Sequence, residues 1–273
     1  MPLLLALLVP ALAGAADPII SLIIDDLGYR YDDGARAARL PGPVVCAVLP
    51  DTPRGPALAA LANQNGKEVL LHMPMQSMDG SLAREPGVMS IDDTRPRFLG
   101  RLAAGLESVP HAIGINGHRG SLLTRHPGHM AWRMDELDAR KLLFVDSYTT
   151  HHSVALQLAG EAGVPATRRN VFLDNDPSPE RIRAEFERLV RLARRDGSAV
   201  AIGHPYPATL DFLEETLPRL GEYAVELVGI RELISRQGME QGRLPDPATR
   251  GNVIRADADG ATHGREAPGP AEP

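Results

Sequence analysis

The run Ile19-Ile20-Ser21-Leu22-Ile23-Ile24 breaks off at Asp25-Asp26-Leu27-Gly28, and this break sets the pattern for the whole chain. A short, nearly continuous apolar run suits a strand of a parallel sheet covered by helices, whereas two carboxylates belong at its exposed carboxyl end. Comparable β-type runs recur at 44–49, 67–72, 112–116, 142–146, 171–173, 198–203 and 224–228. Between them lie segments with a helical apolar period, such as Phe98-Leu99-Leu102-Leu106, Ile182-Phe186-Leu189-Val190 and Leu210-Leu213-Leu217. Asp176-Pro177-Ser178-Pro179-Glu180 adds a helix start with proline in the first turn. No internal repeat or dividing linker interrupts the alternation. It predicts one α/β domain, either a (β/α) barrel with seven or eight mainly parallel strands or an open doubly wound sheet.

Composition narrows the function. The chain has 273 residues, 29 Lys+Arg against 35 Asp+Glu, a formal charge of −6, and 43% hydrophobic residues. That is a globular composition, and a net acidic chain lacks the electrostatic footprint of a nucleic-acid binder. All the basic residues but Lys67 and Lys141 are arginine, scattered as expected from codon bias in a GC-rich genome. The single cysteine, Cys46, lies in an apolar run, where it reads as a small buried hydrophobe and cannot form an internal disulfide.

The ends read differently from the middle. Residues 1–16 carry a leucine-rich core and a small-residue exit, the pattern of a secretory signal peptide, although no positive residues precede the leucines. The expectation is a periplasmic or secreted bacterial protein with no stable membrane span once the signal is removed. Residues 241–273 are rich in Pro, Gly and Ala and read as a disordered tail, leaving a domain over 17–240. The irregular stretch from Met73 to Asp92 is long enough to form a wall of a binding site.

Polar residues with catalytic potential gather at one end of the strands. Asp25 and Asp26 follow the first run, His72 ends the third, and Asn116 and His118 follow the fourth; Asp146 and Ser147 close the fifth, Asp174 the sixth and His204 the seventh. Active sites of parallel α/β folds form at the carboxyl ends of strands, so this sorting points to a site on that face. Singly, each residue has a structural reading, such as a capped turn for Asp25-Asp26 or a core histidine for His72. One carboxylate with two neutral imidazoles suits a catalytic divalent cation with an open position. His126-Pro127-Gly128-His129 has the spacing of a ligand pair, but the intervening Pro-Gly argues against a shared helical face.

These ordered motifs resemble the divergent polysaccharide deacetylase family: Ile23-Ile24-Asp25-Asp26-Leu27-Gly28, Leu71-His72-Met73-Pro74-Met75, Gly114-Ile115-Asn116-Gly117-His118-Arg119-Gly120-Ser121, Phe144-Val145-Asp146-Ser147, Val171-Phe172-Leu173-Asp174 and Ala201-Ile202-Gly203-His204-Pro205. The resemblance spans about residues 19–236. It implies a distorted (β/α) barrel of the NodB-like carbohydrate esterase superfamily, a divalent metal, usually zinc, and removal of acetyl groups from a glycan substrate, with N-acetyl the expected group. It makes Asp26, His72 and His118 the metal ligands, Asp25 the base and His204 the general acid, with Asp174 or Asp146 orienting that histidine or its neighbours. Asn116, Ser147 and Arg119 become candidates for substrate contact. The chain departs from the family pattern at Gly117, Arg119 and Tyr148, all beside the retained His118. The alternative is a non-catalytic, metal-containing protein that binds glycan or serves envelope assembly.

Overall fold

β1 (Ile19–Leu27) is the axis on which the sheet is built. The computed structural model describes residues 17–80 and 87–240. After β1 come α1 (Tyr31–Arg39), β2 (Val45–Val48), α2 (Gly55–Gln64), β3 (Val69–Met75), α3 (Arg95–Ser108), β4 (Ala112–Arg119) and α4 (Pro127–Arg140). The second half contains β5 (Leu143–Asp146), α5 (Ala155–Glu161), β6 (Ala166–Arg168), β7 (Val171–Phe172), α6 (Pro179–Asp196), β8 (Ser198–Gly203), α7 (Pro207–Thr216), β9 (Glu226–Leu227) and α8 (Ile230–Glu240). Five helices, α2, α3, α4, α6 and α7, begin with proline at the first or second position, where its missing N–H costs nothing.

The strands pair in the order β6-β5-β4-β3-β2-β1-β8-β7, with β9 beside β1, and every pairing is parallel. This is a single-domain, curled (β/α) half-barrel, and the open doubly wound sheet is excluded. The two edge strands, β6 and β7, are consecutive in sequence and separated only by Arg169 and Asn170. The Arg169 N–H donates to the Asp146 carbonyl of β5 at 3.0 Å, and the Asn170 N–H to the Val200 carbonyl of β8 at 2.8 Å. Two neighbouring residues thus tie one side of the curled sheet to the other.

Side-chain alternation sorts the core. On β1, Ile20, Leu22 and Ile24 join the large cluster packed under the helices, while Ile19 and Ile23 join a smaller cluster with Val45, Leu70, Val145, Val200 and Ile202. Ile230 and Leu233 of α8 belong to that inner cluster and close the amino-terminal end of the half-barrel. The carboxyl end is left open.

The structure adds to the expected strand set. β6 escapes detection because Ala166-Thr167-Arg168 is a three-residue edge with no apolar run. β9 has two residues instead of five, because it pairs only with Ile19 and Ile20, where β2 has not yet joined β1. α1 buries Ala35, Ala37 and Ala38, side chains too small to stand out as a period. The described part of the 73–92 stretch folds back on β3, with Gln76 N–H donating to the Met89 carbonyl and Met89 N–H to the Pro74 carbonyl. Cys46 is buried and free, and burial pushes its thiol up to about 12. The expected signal peptide and tail lie outside the described residues. No described helix is long and apolar enough to cross a membrane.

Candidate metal and catalytic site

The open end of the half-barrel is lined by the same alternation that fills its inside. Inward positions run Ile19-Ser21-Ile23-Asp25 on β1, Leu70-His72 on β3, Gly114-Asn116-His118 on β4 and Val200-Ile202-His204 at β8. Apart from the buried Ser21, each series becomes polar only at the mouth. β3 and β4 pair with His72 directly opposite Asn116, which fixes their side chains as neighbours.

Asp26 breaks the alternation. As the residue after Asp25 it should face the helices, but the β1–β2 register slips between Ile24 and Leu27, and Asp26 takes φ 60°. A bulge with a left-handed residue turns both carboxylates to the mouth. Arg119 and Tyr148, also non-glycine, have φ 61° and 49° at neighbouring strand ends. Such conformations are costly and cluster where function requires them.

Three ligating atoms meet here. Asp26 Oδ1 lies 3.1 Å from His72 Nε2 and 2.8 Å from His118 Nδ1, and the two ring nitrogens are 3.2 Å apart. Ligands held about 2.0–2.1 Å from a tetrahedral zinc are separated by about 3.3 Å, so the triangle is close to the size a cation requires. Among the described residues this is the one such group of three or more. Asp26 Oδ1 is buried, and no hydrogen bond of acceptable geometry satisfies it despite the close nitrogens. An orphaned carboxylate oxygen between two imidazole nitrogens fits a divalent cation.

Behind the ligands, Asn116 is fully buried and donates through Nδ2 to Asp25 Oδ1 at 2.7 Å. Its Oδ1 is therefore the atom 2.8 Å from His72 Nδ1, and His72 donates to it. With Nδ1 committed as the donor to Asn116, Nε2 is the nitrogen left to coordinate a cation in the triangle, as in metal-ligating histidines. Asn116 was expected to touch substrate; its amide is spent instead on holding Asp25 and His72. Ser147 is likewise buried and accepts the Gly117 N–H at 3.2 Å. Arg119 is exposed near Asp79, with its Nη1 3.8 Å from that carboxylate.

Electrostatics divide the two aspartates. Burial raises Asp25 above the ordinary carboxylate range, with His72 and the Asn116 amide pulling it back. Burial acts on Asp26 in the same sense, but the His118 and His72 imidazoles beside it outweigh that effect and hold the group far below that range. The two environments thus make Asp25 the better proton acceptor and favour the ionised form of Asp26. His72 is pushed up to about 9; burial opposes the rise, and Asp25 and Asp26 drive it.

His204 has its own carboxylate. Asp174 Oδ1 lies 2.8 Å from His204 Nδ1, and Asp174 Oδ2 accepts the His204 backbone N–H at 2.6 Å and the Thr209 hydroxyl at 2.8 Å. The other ring nitrogen, Nε2, faces the site 3.9 Å from Asp26 Oδ2. Burial works to lower the His204 pKa, but the Asp174 bond and charge raise it above the ordinary value.

Asp146 does not join this pair. Phe144 of β5 packs outward and Val145 inward, so Asp146 points away from the mouth. Its carboxylate accepts the Tyr148 N–H at 2.9 Å and the Ser153 hydroxyl at 2.8 Å, fixing the loop after β5. The His126 and His129 rings do meet, with Nδ1 atoms 2.9 Å apart, because Pro127 starts α4 and does not break it. His129 Nε2 lies on the Asp93 carbonyl, and no third ligating side chain joins them among the described residues.

The scattered-arginine reading overlooks Arg169. Its Nε and Nη2 each donate at 2.7 Å, to the Ser147 and Tyr148 carbonyls, while its guanidinium lies 3.6 Å from the Phe172 ring centroid. Burial pulls its pKa down to about 10 against the opposing charges of Asp146 and Asp25. Phe172 in turn lies nearly parallel to His204, 6.3 Å between centroids. The sequence signal was the arginine pair Arg168-Arg169, separated from the β7 run by Asn170.

Comparison with known proteins bears on the family and the fold. The profile of the family described as divergent polysaccharide deacetylase matches residues 22–234. The uncharacterized protein YibQ of Escherichia coli (strain K12) is 36% identical over 222 residues, covering 80% of this chain and 66% of its own length. An uncharacterized protein of Haemophilus influenzae is 34% identical over 214 residues, covering 78% and 76%. The crystal structure of an uncharacterized Agrobacterium tumefaciens C58 protein shares the fold with a TM-score of 0.76 at 20% identity, covering 81% of this chain and 91% of that one. Motif order, fold and the match across nearly all of the described residues lead to one conclusion: the chain belongs to the divergent polysaccharide deacetylase family.

Proposed function

We propose that this chain is a metal-dependent hydrolase that removes acetyl groups, N-acetyl in the first instance, from a glycan of the bacterial envelope. The observation that carries the reading is the placement of Asp26, His72 and His118 as one ligand triangle, flanked by a buried acceptor, Asp25, and a separately oriented donor, His204. Family membership supports the glycan class, and the leader-like residues 1–16 support action in the periplasm or outside the cell.

Asp26, His72 and His118 would hold a divalent cation, most simply zinc, which would supply Lewis-acid polarisation of the acetyl carbonyl and lower the pKa of water. Asp25, desolvated and steadied by Asn116, accepts the proton of the attacking water as its oxygen bonds to the carbonyl carbon. His204, protonated and anchored through Nδ1 on Asp174, delivers the Nε2 proton to the departing amine nitrogen as the C–N bond breaks. The amine leaves neutral, and acetate is the second product.

The test is acetate release from N-acetylated envelope glycans by zinc-loaded protein, with metal content measured alongside. Asp26→Ala and His118→Ala should lose metal; Asp25→Asn and His204→Ala should keep it and lose turnover. Full metal occupancy in the first pair refutes the ligand set. Metal binding with no acetate release from any glycan refutes the hydrolase and leaves the non-catalytic reading.

A further inference from the structure

Folding does not account for the aromatic side chains around the mouth. Among the described residues the exposed large apolar side chains are Tyr29, Tyr31, Met78 and Tyr206. In a chain that is only 4% aromatic, two of these tyrosines line one cavity of about 180 Å³, together with Asp26, Arg30, His204 and Pro205. The cavity therefore shares walls with the metal triangle and with the proton donor. Tyr206 lies 5.4 Å from His204, ring centre to ring centre.

Both tyrosines stand on fixed backbone. Tyr206 sits between Pro205 and Pro207 with φ −74° and ψ 142°, the extended conformation a following proline favours. Its carbonyl accepts the Leu210 N–H, so it is also locked to α7. Tyr29 follows Gly28, whose φ is 142° and whose hypothetical Cβ would fall 2.1 Å from Thr52 Oγ1. The turn after β1 depends on that glycine, and it sets Tyr29 at 68% exposure beside the site. Arg30 and Asp33 close the rim as an ion pair at 2.6 Å.

Exposed rings on a fixed backbone, with charged hydrogen-bonding groups at their edge, match a pyranose, which has apolar C–H faces and a polar rim. We propose that Tyr29 and Tyr206 form a stacking subsite for the sugar unit adjacent to the acetylated one. This rests on the deacetylase reading for its orientation, but the stacking itself does not require turnover. Exposed apolar area at a rigid mouth is binding surface in search of a ligand, and a neighbouring sugar of the same glycan is the occupant already tethered within reach.

The experiment uses zinc-loaded full-length chain and N-acetylglucosamine oligomers of one to five units, with binding followed by calorimetry and turnover by acetate release. Wild type should bind oligomers about three- to tenfold more tightly than the single sugar. The Tyr29→Ala/Tyr206→Ala variant should lose that gain and keep its affinity for the single sugar, while Tyr206→Phe retains it. Both tyrosines are exposed, so the variant's thermal melt should match wild type. Persistence of the length dependence in the double variant overturns the subsite, as does equal loss for monomer and oligomer, absence of length dependence in wild type, or failure of every oligomer to bind. Length-dependent binding without acetate release upholds the subsite and sinks the deacetylase reading; acetate release without length dependence does the reverse.

Discussion

His72 Nδ1 lies 2.8 Å from Asn116 Oδ1, and both side chains are buried at the floor of the metal triangle. The amide chooses which ring nitrogen faces the ligands, because its other end is committed to Asp25. Asn116→Ala should lower zinc affinity about 10- to 100-fold, the range observed when a ligand's outer partner is removed. Competition with a chromogenic chelator measures it. Unchanged affinity would show that Asn116 does not control the His72 tautomer.

Asp174 should set the alkaline limb of activity. His204 holds its proton above the ordinary histidine pKa because Asp174 favours the imidazolium, so a donor is present to higher pH. Asp174→Asn removes that support, lowers the His204 pKa and moves the loss of turnover to lower pH. The pH profile of kcat for acetate release tests the direction. A shift toward higher pH, or none with full activity, contradicts the role.

The carboxyl-end clustering of Asp25, His72, His118, Asp174 and His204 was legible from the polar stops of apolar runs alone. Asp146 was misread because its strand parity was not followed: one residue along β5 exchanges the mouth for the outer face. Asn116 was read as substrate-facing because burial is set by the strands on either side, which a single run does not display. The turning of Asp26 into the site came through the family resemblance and not through the apolar pattern, since a bulge leaves no apolar signature. Arginine counts suggested codon bias, which describes the surface well and misses the interior.

Arg133 is the clearest interior case. It is fully buried on α4, its Nη2 lies 2.8 Å from Met75 Sδ, and its Nε and Nη1 have no hydrogen-bond partner. Burial pulls its pKa down to about 10, so the charge persists at neutral pH. Arg133→Met should stabilise the protein by about 1–4 kcal/mol, as when other buried ionic groups give way to apolar ones. Urea denaturation reads the change, and a loss of stability would show that the Phe98 ring and the Asp146 charge repay the burial.

Gly28 should tolerate no side chain. Alanine there meets Thr52 Oγ1 at 2.1 Å and must also hold φ 142°. Gly28→Ala should cost about 1–3 kcal/mol from backbone strain, with the steric clash in addition. Combining it with Thr52→Ala should relieve the Oγ1 and Cγ2 contacts but neither the 2.8 Å approach to the Thr52 Cβ nor the strain, giving non-additive losses in a double-mutant cycle. Simple additivity would mean that the two residues do not press on each other.

The Arg169–Asn170 junction also bears on how the protein behaves in company. A sheet normally leaves unpaired N–H and C=O groups at each border, a template onto which another chain can zip. Here the borders are strands of three and two residues, and the two residues joining them spend their N–H groups on β5 and β8. Too little ladder remains to seat a foreign strand in any register. The brevity that conceals β6 from its sequence pattern thus guards the folded chain against edge-to-edge aggregation.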